Sequence, residues 1–112
     1  MLHNLGMPSN VKGYHYIREA ILLIVEKPDL LGSVTKELYP EIAERFYSTA
    51  SRVERSMRHA IEISFTRGNL EVIEDIFRFS MDSEKAKPTN SEFISMIAER
   101  IQSDLEQESF QF

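Results

Sequence analysis

Four arginines, Arg52, Arg55, Arg58 and Arg67, stand with His59 in a stretch of helical periodicity that follows Thr49. Placed at about 100° per residue, Val53, Met57, Ala60 and Ile61 fall on one side of that helix and Arg55 falls almost opposite. Ser51, Arg52, Arg58, His59 and Glu62 flank Arg55, and Glu54 sits toward one margin. The outward face therefore carries three arginines, with donors in its N-terminal half, where a recognition helix meets base edges. Such a face can neutralise phosphates and read bases in duplex DNA. The alternative is a solvated face, its arginines serving helix propensity and i,i+4 pairing to Glu54 and Glu62.

The elements that would position this face lie in IAERFYSTASRVERSM, Ile42 to Met57. Ala43 falls in a first helix, Thr49 can cap a second, and Val53 and Met57 are spaced to pack back against Ala43. A small residue at 43 lets two helices cross closely, and a tight turn of about four residues joins them, as in a helix-turn-helix. The recognition helix is expected from about Thr49 to Thr66. Tyr47 departs from the pattern, because many such turns place glycine there.

The remaining periodicity predicts an all-α domain with no strand pattern. Met1 to Leu5 fits the end of a helix whose start lies outside this chain, closed by Gly6 and followed by Pro8. Val11, Tyr14, Ile17, Ile21, Ile24 and Val25 make a core helix that must stop before Pro28. A short helix can start from Ser33, and Pro40 opens the next, through Ile42, Ala43 and Phe46. Gly68 ends the arginine-bearing helix, and Asn69 can cap another, to about Phe79, with Leu70, Ile73, Ile76 and Phe77 inward. Thr89 and Glu92 form a capping box for a last helix whose apolar row is Phe93, Ile97, Ile101 and Leu105. These readings give a single domain over residues 1–105 and a frayed acidic tail over 106–112.

Composition bounds the function. A chain of 112 residues can bury one core, and without cysteine it has neither disulfides nor thiolate chemistry. The longest apolar run, Ala20 to Val25, is too short for a bilayer and Met1 opens no signal-like segment, so a soluble, cytoplasmic protein that avoids membranes is expected. The formal charge of -5 speaks against nucleic acid, but it is segregated. Ser51 to Arg67 is net basic, whereas Gly68 to Glu84 sets five acids against Arg78. His3, His15 and His59 are too scattered for a metal site, no catalytic triad is recognisable, and no glycine-rich phosphate loop occurs. Neither an enzyme nor a cofactor or metal is expected.

Several blocks together resemble a known family: VKGYHYIREAI (Val11 to Ile21), LLGSVTKELYPEIAERF (Leu30 to Phe46), TASRVERSMRHAIE (Thr49 to Glu62), SFTRGN (Ser64 to Asn69) and AKPTNSEFISM (Ala86 to Met96). The chain is similar to the C-terminal effector domains of the stage-zero sporulation response regulators, from Leu5 to about Arg100. The acidic tail from Gln102 takes no part in the likeness.

The resemblance implies a compact six-helix domain that binds TGTCGAA-type boxes with its recognition helix in the major groove, activating or repressing transcription. By position it implies Arg52, Glu54 and Arg58 as base readers, with Ser51, Arg55 and His59 on the backbone or flanks. Arginine can give guanine two parallel hydrogen bonds and a carboxylate can accept from cytosine, each such pair discriminating by about 1 to 3 kcal/mol. On the helical wheel Glu54 is not favoured over Ser51, so its role rests on the family. Lys85 and Lys87, ahead of the last helix, are placed at a phosphate, or else in a solvated loop. The acidic helix after Asn69, through Glu71, Glu74, Asp75 and Arg78, corresponds to a surface for the RNA polymerase sigma factor, or to a plain solvated helix. In the family a phosphorylated receiver domain in a two-component phosphorelay brings a second copy onto tandem sites, which raises avidity. A competing class is an acidic helical adaptor that binds protein through the same helix and touches DNA little.

Overall fold

The computed structural model describes residues 6–67 and 88–109. Among these residues the chain is helical throughout, with no strand. The elements are α1 (Lys12–Glu26), a 3-10 segment (Pro28–Ser33), a π-turn (Val34–Leu38), α2 (Tyr39–Arg45), α3 (Ala50–Arg67) and α4 (Asn90–Ser109). The all-α expectation holds for them, whereas a count of six helices is not supported. The helices expected over Met1 to Leu5 and from Asn69 to Phe79 fall outside the described residues, as do Gly68, Lys85 and Lys87.

α1 is central and packs on α3, α4, the 3-10 segment and α2. Its expected stripe is broader than six residues. Ile17, Ile21 and Ile24 are buried together with Gly13, Tyr16, Ala20 and Leu23, while Val11, Tyr14 and Val25 pack at the edge of the core. Lys27 closes the helix by donating its N–H to the Leu23 carbonyl at 2.8 Å. Its φ of -131° and ψ of 80° lie outside the helical region, which a following proline disfavours for its predecessor.

The sequence predicts two separate short helices, one from Ser33 and one opened by Pro40. The structure instead joins them. Leu38 and Tyr39 keep right-handed helical angles, so the π-turn runs into α2 without a break. Pro40 can neither donate a hydrogen bond nor let its ring approach the carbonyl four residues back, and a widened turn accommodates both restrictions. Accordingly, Tyr39 N–H reaches the carbonyl of Val34, five residues earlier.

α4 closes the core with Phe93, Ile94, Met96, Ile97 and Ala98, against which Ile101 is partly buried. Its start is the expected capping box: Glu92 N–H donates to Thr89 Oγ1 at 3.2 Å, and Thr89 N–H donates to Glu92 Oε1 at 3.0 Å. Leu105 does not complete the apolar row, because it is half exposed. α4 continues past it to Ser109.

Candidate nucleic-acid interface

α3 is built as its sequence suggests. Thr49 Oγ1 accepts the Arg52 N–H at 3.2 Å, and the Thr49 carbonyl accepts the Val53 N–H at 2.9 Å, so Thr49 is the N-cap. Val53, Met57, Ala60 and Ile61 are fully buried, and Ala43 on α2 is buried with them in one core. That burial fixes the rotation of α3. Ser51, Arg52, Arg55, Arg58 and His59 are all exposed, and Glu54 is half-buried at the margin.

The turn between α2 and α3 shows how a tyrosine occupies the usual glycine position. Tyr47 has a φ of 53°, in the left-handed region. Ser48 N–H bonds the Ala43 carbonyl at 2.8 Å and Tyr47 N–H bonds the Glu44 carbonyl at 3.4 Å, the paired pattern of a Schellman closure. Such backbone costs a non-glycine residue about 1 to 2 kcal/mol. The Tyr47 side chain recovers none of this by burial, being 98% exposed.

Two of the expected base readers are engaged with each other. Arg58 Nη2 lies 3.1 Å from Glu54 Oε1, an i,i+4 ion pair with both side chains about half exposed. An exposed pair of this kind contributes about 0 to 1 kcal/mol, so a better partner can replace it. Arg45 is paired across the surface with Glu19 and Glu41 and adds no free charge to the face of α3. Among the described residues, Arg52 and Arg55 have no carboxylate partner. The pairing alternative thus holds for Arg58 but leaves two cations of the face uncompensated.

A third link, one that periodicity does not reveal, holds the back of this site. Asn90 Nδ2 donates to the Glu54 carbonyl at 3.0 Å and to Tyr39 Oη at 3.1 Å, tying the start of α4 to α3 and α2. Burial pushes the Tyr39 phenol above its ordinary pKa, and the Glu54 carboxylate adds to the rise, while Asn90 and Arg58 oppose it. An asparagine one residue after a helix cap is a weak local signal, and only the fold brings it to Tyr39. Lys85, Lys87, Glu71, Glu74, Asp75 and Arg78 lie outside the described residues.

The family of the sporulation initiation factor Spo0A C terminal matches residues 1–101. The chain belongs to that family. It is therefore a DNA-binding effector domain of a sporulation regulator. The Spo0A C-terminal match ends within α4, close to the point where the sequence likeness also stops. Among the described residues of this effector domain, no helix is long and apolar enough to cross a membrane.

Proposed function

We propose that the domain binds duplex DNA sequence-specifically, with α3 in the major groove of TGTCGAA-type boxes. The observation that carries this reading is the fixed rotation of α3, whose buried stripe leaves Arg52, Arg55, Arg58 and His59 facing solvent from one capped helix. Arg52 and Arg58 pair with guanine edges, and Glu54, released from Arg58, accepts from a cytosine amino group. Ser51, Arg55 and His59 hold the flanking backbone, and Lys85 and Lys87 add a phosphate contact near the start of α4. The protein acts by binding, without catalysis, cofactor or metal.

In the same reading residues 1–105 are a single helical effector domain that works in the cytoplasm and serves as the output of a phosphorelay response regulator. Two copies on neighbouring boxes reinforce each other, Glu71, Glu74, Asp75 and Arg78 meet the sigma factor, and transcription is activated or repressed. The test is discrimination between matched and single-base-substituted boxes. Arg58→Ala and Glu54→Gln should each lose preference at one base pair by about 1 to 3 kcal/mol while still binding DNA. Unaltered preference in both variants would refute the assignment of base readers.

A further inference from the structure

The first turn of α1 lies directly against α3, and the reason is Gly13. A Cβ on Gly13 would stand 2.1 Å from the Ser56 carbonyl oxygen and 2.7 Å from Ala60 Cβ, so only glycine allows this approach. The close crossing makes a groove whose walls include Lys12 and His15 from α1 and Arg52, Arg55 and Ser56 from α3, with Tyr47 at its rim. A neighbouring depression repeats Lys12, Arg55 and Ser56 and adds His59.

Among the described residues no carboxylate lines either depression, although the chain holds more acids than bases. Lys12, His15, Arg52 and Arg55 are exposed. Among the described residues none of them has a carboxylate partner. The cations Lys12, Arg52 and Arg55, gathered by a close helix crossing with no carboxylate beside them, favour an external anion. The groove borders the N-terminal half of α3, so an anion seated there belongs to the strand that the same helix approaches.

We propose that this groove seats a backbone phosphodiester of the bound duplex, with Lys12 and His15 as DNA contacts contributed by α1, outside the helix-turn-helix. The proposal rests on the DNA-binding reading and deepens it. α1 then adds affinity and orients the recognition helix, but it carries no sequence information.

The experiment is anisotropy titration of Lys12→Ala, His15→Ala and Arg18→Ala against a two-box duplex and a scrambled duplex over a range of salt. Arg18 is an exposed cation of α1 that lines neither depression, so it controls for a general charge effect. Lys12→Ala should weaken binding to both duplexes by the same factor and flatten the salt slope by about 0.9 for each phosphate no longer neutralised. His15→Ala should weaken both duplexes equally, and Arg18→Ala should keep the wild-type slope. An unchanged slope for Lys12→Ala, or an equal change for Arg18→Ala, overturns the proposal. Failure of the wild-type domain to prefer the box duplex would instead strike the base-reading assignment, whatever the slopes.

Discussion

Asn90 Nδ2 lies 3.0 Å from the main-chain carbonyl of Glu54, and through this bond the last helix holds the recognition helix at the point where its Glu54–Arg58 pair emerges. The same amide reaches Tyr39 on α2, so one side chain joins three helices. Asn90→Ala should remove both bonds and leave the buried Tyr39 hydroxyl poorly satisfied, destabilising the domain by about 1 to 3 kcal/mol in denaturant unfolding. Tyr39→Phe removes one bond together with its buried hydroxyl and should cost less. Equal stability of Asn90→Ala and wild type would contradict this role.

The raised pKa of Tyr39 gives a pH test. A phenol whose folded pKa exceeds its unfolded value of about 10 contributes stability below that pH and loses it as pH rises through the folded value. An ultraviolet titration of the folded domain should show a phenol that ionises above the ordinary range, and Tyr39→Phe should abolish that step. An identical titration of wild type and Tyr39→Phe in that range would count against the buried, hydrogen-bonded phenol.

Gly13 is predicted to be the least replaceable glycine among the described residues. Gly13→Ala drives a methyl into Ser56 backbone and should destabilise by about 1 to 3 kcal/mol, seen as a lower denaturation midpoint. Gly32 has open space where a Cβ would stand, and Gly32→Ala should be close to neutral.

Tyr47→Gly should act in the opposite direction. It relieves a left-handed tyrosine whose ring is unburied, and should stabilise the domain by up to about 1 kcal/mol after glycine's greater unfolded-state entropy is deducted. A fall in thermal midpoint would show that the Schellman turn depends on the tyrosine itself.

Much of this architecture is legible in the sequence because its signals are local. Thr49 before an apolar stripe and Thr89 three residues ahead of Glu92 announce helix starts from hydrogen bonds made within one turn. The outward set of Ser51, Arg52, Arg55, Arg58 and His59 follows from the same stripe, since burying one face of a helix exposes the other. The fusion of the Ser33 and Pro40 helices is not legible, because proline marks a helix start equally well as a widened turn inside a longer helical path. Asn90, Gly13 and the groove beside Lys12 depend on contacts between residues far apart in the chain, and periodicity along one helix carries no information about them. Leu105 keeps the apolar spacing yet is half exposed, because spacing along one helix does not fix how much of it is covered.

The most direct test of the central claim is a fluorescence-anisotropy titration of the wild-type domain with a duplex holding two TGTCGAA boxes and with a scrambled duplex, each at several salt concentrations. Tighter binding to the box duplex, weakening as salt rises, is the expected result. Equal, weak binding to both duplexes would contradict sequence reading by α3.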